Sequence, residues 1–181
     1  MQSQNFEHLR ADWPELASLC GFAEIYAHPD PDSAVVKLRA FAEQCVTIVY
    51  REAGLPRAPM SSFMDLLSND AFKSVTPGVV TDKLHAIRIH GNKAAHGETI
   101  STNGALWLVR EAWDLGRWLY ATYSDGDVAS LPGFQIPQPP SSAKSEYKKE
   151  RKALLEKHAK QEAQMQALLD ELEQERAKAA Q

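Results

Sequence analysis

Between residues 33 and 53 the apolar side chains Val35, Leu38, Phe41, Ala42, Cys45, Ile48 and Val49 recur at steps of three and four. A segment so spaced buries one stripe of a helix and cannot alternate its faces as a strand does. The rhythm returns in residues 14–26 through Leu16, Leu19, Cys20, Ala23 and Tyr26, and in residues 103–123 through Leu106, Val109, Trp113, Gly116 and Tyr120. No segment sustains alternation at period two. The expectation is an all-α fold, an antiparallel helical bundle with short connections.

Prolines, glycines and aspartates punctuate these stripes. Pro14 suits a first helical turn, whose amides need no intrahelical acceptor. His28-Pro29-Asp30-Pro31-Asp32 ends that helix and supplies Asp30 or Asp32 as the cap of the next, expected over residues 33–53. Gly54-Leu55-Pro56 stops it. A short helix is expected over residues 62–68, with Phe63, Leu66 and Leu67 inward, and a turn over residues 69–78. Thr76-Pro77 opens a further helix that closes at His96-Gly97, and Gly91 is expected to loosen or bend it. The four tryptophans read mostly as core.

Residues 131–142 carry Pro132, Pro137, Pro139 and Pro140 and read as an extended linker. Residues 143–181 contain neither glycine nor proline and read as a long charged helix. A coiled-coil seam through Leu154, His158, Gln161, Met165, Leu168, Leu172 and Ala179 is the first choice there. The expected organisation is therefore a helical bundle over 1–130, a Pro-rich linker over 131–142 and a charged helix over 143–181.

Charge does not suggest a wholesale nucleic-acid binder: the net is -4 over 181 residues. Residues 1–142 hold 11 Lys/Arg against 16 Asp/Glu, and residues 143–181 hold 9 against 8. Cys20 and Cys45 fall in apolar helical contexts and read as free buried thiols. No Cys/His cluster has metal-ligand spacing, so neither metal nor cofactor is expected. The first residues lack a signal-peptide layout, and no apolar run approaches the ~20 residues of a membrane span. A cytoplasmic protein with no membrane partner is expected.

The residues that can carry chemistry lie in Leu84-His85-Ala86-Ile87-Arg88-Ile89-His90-Gly91-Asn92-Lys93-Ala94-Ala95-His96-Gly97. Arg88, Asn92 and His96 are four apart, slightly more than one turn, and so share a stripe. In the helix over residues 33–53, Arg39 and Glu43 have the spacing of an intrahelical ion pair. Two readings follow. Arg39, Glu43, Arg88, Asn92 and His96 form a hydrogen-bonded network that sets helix register. Alternatively Arg88 and His96 face a cleft, the guanidinium holding a phosphate and the imidazole moving a proton. The first is favoured. Lys37, Lys93, Lys144, Lys148, Lys149, Arg151 and Lys152 are the candidate nucleic-acid contacts.

Asn5-Phe6, Asp30-Pro31-Asp32, Lys37-Leu38-Arg39-Ala40-Phe41-Ala42-Glu43 and Leu84-His85-x-x-Arg88-x-x-Gly91-Asn92-x-Ala94-x-His96 occur in this order. Over about residues 5–135 they resemble the N-terminal helical domain of type I restriction enzyme R subunits, the EcoKI-like class. That domain is similar to the HEPN superfamily of helical bundles, which often dimerise. Several HEPN members act as metal-independent ribonucleases through an Arg, four to six residues and a His. By that resemblance Arg88 would hold the scissile phosphate and His96 would transfer a proton. Seven residues separate Arg88 from His96 here, with Gly91 and Asn92 between them, which argues against ribonuclease activity.

The resemblance implies a non-catalytic interaction module of a DNA-defence restriction–modification system, followed in the parent protein by endonuclease and translocase domains. The parent would be a subunit of a type I site-specific deoxyribonuclease. This segment has no GxxxxGK[ST] phosphate loop and no paired acidic–Lys nuclease signature, so it is not expected to be an enzyme on its own. Its expected partners are other restriction–modification subunits or downstream domains of its own chain. DNA, and a second copy meeting through the bundle or the C-terminal helix, are the further candidates.

Overall fold

A computed structural model describes residues 1–139 and 144–179, leaving aside the side chains of 144–148, 172, 173, 175–177 and 179. Residues 140–142 of the expected linker, and Leu172 and Ala179 of the expected seam, thus fall outside the described backbone or side chains. All regular structure among the described residues is helical: α1 (Pro14–Tyr26), α2 (Pro31–Glu52), α3 (Phe63–Ser68), α4 (Asp70–Val75), α5 (Gly78–Ala95), α6 (Thr102–Tyr123) and α7 (Lys144–Ala179), with short 3-10 turns at Glu7–Leu9 and Val128–Ser130. Residues 1–142 and 143–181 form two separate compact units.

Local chemistry sets most helix ends. Asp30 caps α2, its carboxylate accepting from Ser33 N at 3.3 Å and Ser33 Oγ at 2.8 Å. Pro31 occupies the first turn, where its fixed φ suits a helix start, so α2 begins two residues before the expected position. Asp32 does not cap: its Oδ1 accepts from Ile100 N at 2.8 Å and ties the approach to α6 onto the start of α2. Ser62 and Asp65 make a reciprocal capping box on α3. Ser101 caps α6, accepting from Gly104 N at 3.0 Å.

The turn expected over residues 69–78 contains α4. Asn69 Oδ1 accepts from Ala71 N at 2.8 Å and Phe72 N at 3.4 Å, which starts the helix. Phe72 holds it down: it is fully buried and stacks on Tyr50 with ring centroids 5.6 Å apart. Tyr50 Oη in turn donates to Leu66 O at 2.7 Å, joining α3 to the same cluster.

Within residues 1–142, α2 is central and packs against α1, α5 and α6. Leu38, Phe41 and Val46 of α2, Ile87 of α5 and Leu108 of α6 are completely buried. Phe6 inserts ahead of α1 and meets Phe41 edge-on at 5.8 Å. Trp113 alone of the tryptophans is core; Trp107 is 47% exposed and packs edge-on against His90 at 5.9 Å. Residues 132–139 have no regular secondary structure, and they lie against the bundle through Phe134, Gln135 and Pro137 instead of leaving it directly.

The second unit is one uninterrupted helix of 36 residues, α7, about 54 Å long at 1.5 Å per residue. Met165 and Leu168 of the expected seam are more than 40% exposed on it.

Candidate functional site

The site begins where α2 and α5 meet. Gly91 is buried there, and a Cβ added to it would stand 2.6 Å from Arg39 Cβ and 2.9 Å from Arg39 Cδ. The stem of Arg39 therefore lies directly on the α5 backbone, an approach only glycine permits. The expected bend is absent: α5 runs unbroken through Gly91 to Ala95. The close contact with α2 compensates for the poor helix propensity of glycine. Arg39 Nη2 reaches Glu43 Oε1 at 3.2 Å, one turn along α2. Burial pushes the Glu43 carboxyl above its ordinary range, and the Arg39 guanidinium beside it pulls it partly back.

Arg88 and Asn92 flank this contact and are half-buried. Arg88 Nε is enclosed and finds no hydrogen-bond partner among the described residues. Its charge, after burial, helps hold the neighbouring His85 imidazole below its usual range. His96 is exposed at the C-cap of α5. Beyond it Gly97 adopts φ +88°. Gly97 N donates to Ala94 O at 3.1 Å and Glu98 N to Lys93 O at 2.9 Å, a Schellman ending.

The structure therefore brings Arg39 and Glu43 together, sets Arg88 and Asn92 either side of Gly91 along α5, and puts His96 a turn further on at the C-cap. The reason is helical geometry. Positions four apart drift about 40° around the axis at each step, so His96 sits about 80° round and about 12 Å along from Arg88.

Of the candidate nucleic-acid contacts, Lys37 Nζ lies 4.6 Å above the Phe22 ring, and Lys152 lies 3.9 Å from Glu156. Lys93 and Lys149 are exposed, and Arg151 is half-buried. Lys144 and Lys148 belong to α7, with side chains outside the described ones.

A second polar centre was not foreseen from sequence. Glu24 is 5% exposed on α1 and takes four hydrogen bonds. Its Oε2 accepts from Ser3 Oγ at 2.8 Å and Gln4 N at 2.7 Å, and its Oε1 accepts from Asn5 N at 2.9 Å and Asn5 Nδ2 at 2.8 Å. The N-terminal hook so held presents Asn5 to Gln135: Gln135 N donates to Asn5 Oδ1 at 2.8 Å, and Asn5 Nδ2 donates to Gln135 O at 2.9 Å. His28 Nε2 is 2.7 Å from Pro137 O. A carbonyl only accepts, so Nε2 carries the proton. Phe134 packs on Trp113 at 5.5 Å, and the Arg110 guanidinium covers both rings at 5.0 and 5.2 Å. One signal for this centre was present in the sequence: Glu24 interrupts the apolar run from Leu19 to Ala27, and a carboxylate there requires donors.

Among the described residues no cluster of three or more His, Cys, Asp or Glu has a metal-binding arrangement, and no helix is long and apolar enough to cross a membrane. Comparison with known proteins finds no match to this chain among family models, curated sequences or solved structures.

Proposed function

We propose that this chain is a non-catalytic helical interaction module of the kind that opens type I restriction R subunits, its body a HEPN-like bundle. The observation that carries the reading is the seat of Arg39 on Gly91. It makes the central part of the Arg88-x-x-Gly91-Asn92 motif a packing device between α2 and α5. The seven residues between Arg88 and His96, against four to six in the ribonuclease motif, support the same reading. The partners would be other restriction–modification subunits or downstream domains of the same polypeptide. Helix α7 would act as a spacer or pair in a coiled coil, for which the exposure of Met165 and Leu168 speaks.

One observation favours a HEPN-type ribonuclease as the second reading. Arg88 Nε has no hydrogen-bond partner among the described residues, and His96 is exposed. In a dimer, Arg88 of one copy would then work with the imidazole of the other. Incubating RNA with wild-type and His96→Ala proteins in chelator separates the two readings. We expect no cleavage by either protein. Metal-independent cleavage by the wild type that His96→Ala abolishes would overturn the proposal.

A further inference from the structure

Residues 133–138 are held to the bundle as a peptide ligand is held. Pro132, Gly133, Gln135, Gln138 and Pro139 are exposed, and Ile136 is 60% exposed. Two side chains anchor the segment: Phe134, packed on Trp113 with the Arg110 guanidinium over both rings, and Pro137, which is buried. The remaining polar contacts are mainly to its backbone. Asn5 takes both the N–H and the C=O of Gln135, and His28 takes the C=O of Pro137. Main-chain bonds plus pockets for a few side chains are a recurring way in which proteins read peptide segments.

The receiving surface is organised by other parts of the chain. Glu24 fixes both the backbone N–H and the side-chain amide of Asn5, so its remaining N–H and its carbonyl point outward at a peptide unit. Trp113 is buried and has two guanidinium groups against its ring, Arg110 at 5.0 Å and Arg117 at 4.5 Å. Such a clamp does not have to be ordered by its ligand, which lowers the cost of binding.

From this geometry we infer that the surface formed by Asn5, His28, Arg110 and Trp113 is a docking site for non-helical peptides of the pattern Phe-x-x-Pro. The chain fills it in cis with Phe134-Gln135-Ile136-Pro137, and a partner segment of the same pattern displaces that strap. The inference does not depend on the restriction-subunit reading, since it concerns only the chemistry of this surface.

A fluorescein-labelled peptide Ser-Leu-Pro-Gly-Phe-Gln-Ile-Pro-Gln-Pro is titrated into the full chain carrying Phe134→Ala and Pro137→Ala, and into the wild type. Anisotropy is the readout, with circular dichroism to check folding. We expect saturable binding to the strap variant. A tethered copy at an effective concentration on the order of 1 mM weakens a peptide of roughly 100 µM affinity about tenfold, so the wild type should bind about tenfold less tightly. Adding Asn5→Ala to the strap variant, or replacing the peptide's Phe by Ala, should abolish binding. Absence of binding to the folded strap variant, or equal binding of a scrambled peptide, overturns the inference. Hydrogen exchange on the wild type tests it without substitution. The Gln135 amide should exchange at least about 100-fold faster than the α2 amides of Leu38 and Phe41, through local release of the strap. Exchange of Gln135 only with global unfolding would make the strap an integral part of the core and would also overturn it.

Discussion

Glu24→Gln isolates the role of the buried carboxylate without leaving a cavity. In the native protein two oxygens serve four donors. The glutamine keeps one oxygen. It belongs on the side of Asn5, whose backbone N–H and Nδ2 can only donate. The new NH2 then faces Ser3 Oγ, which can accept, and Gln4 N–H, which cannot. The Gln4 N–H and one N–H of the new amide then face each other without an acceptor, which in this part-buried position costs about 1–3 kcal/mol, and the surviving bonds lose the extra strength of a charged acceptor. Relief of the buried charge offsets part of this. The expected net loss is about 2–3 kcal/mol. Urea unfolding followed by tryptophan fluorescence measures it, because Trp13, Trp107, Trp113 and Trp118 all belong to the body. With a slope of about 2 kcal/mol per M, the midpoint should fall by about 1–1.5 M at unchanged slope. A midpoint within about 0.3 M of the wild type would mean that the four bonds add little beyond what water supplies to the unfolded hook, and the reasoning would fail.

Two further outcomes are expected. Gly91→Ala gains about 1 kcal/mol of helix propensity but drives a methyl into the Arg39 stem, an overpacking cost of about 1–3 kcal/mol. It should lower the thermal midpoint by a few degrees, and a midpoint above wild type would refute the close contact. His8 is held below its ordinary pKa by burial, so the unfolded chain takes up the proton before the folded one does. Stability should fall as pH drops below about 6.5, the free imidazole value. His8→Gln should flatten that dependence between pH 7 and the lower folded value, as read by thermal melts; an unchanged slope would exclude His8 as its source.

The helices were legible in the sequence because their causes are local. The stripe from Val35 to Val49, a capping aspartate at Asp30 or Asp32 and the ending at His96-Gly97 each involve groups within a few residues of one another. Arg39 with Glu43 was legible for the same reason, since both lie on one helix a turn apart. The short helix α4 was missed because its stability comes from Phe72 meeting Tyr50 in a different helix. The place of His96 depended on accumulated rotation along α5, which a four-residue spacing rule ignores.

What the chain could not announce by itself is how distant segments meet. A buried carboxylate on α1, an asparagine 19 residues before it and a peptide unit 130 residues beyond that asparagine form one hydrogen-bonded line. The proline spacing of residues 131–142 fits an extended conformation equally well in solvent and on a protein surface. Only the assembled bundle supplies Trp113, Arg110, His28 and Asn5 at the separations that hold the strap. Backbone periodicity and end capping are short-range and so are written along the chain, whereas the pairing of separate surfaces exists only once packing has brought them together.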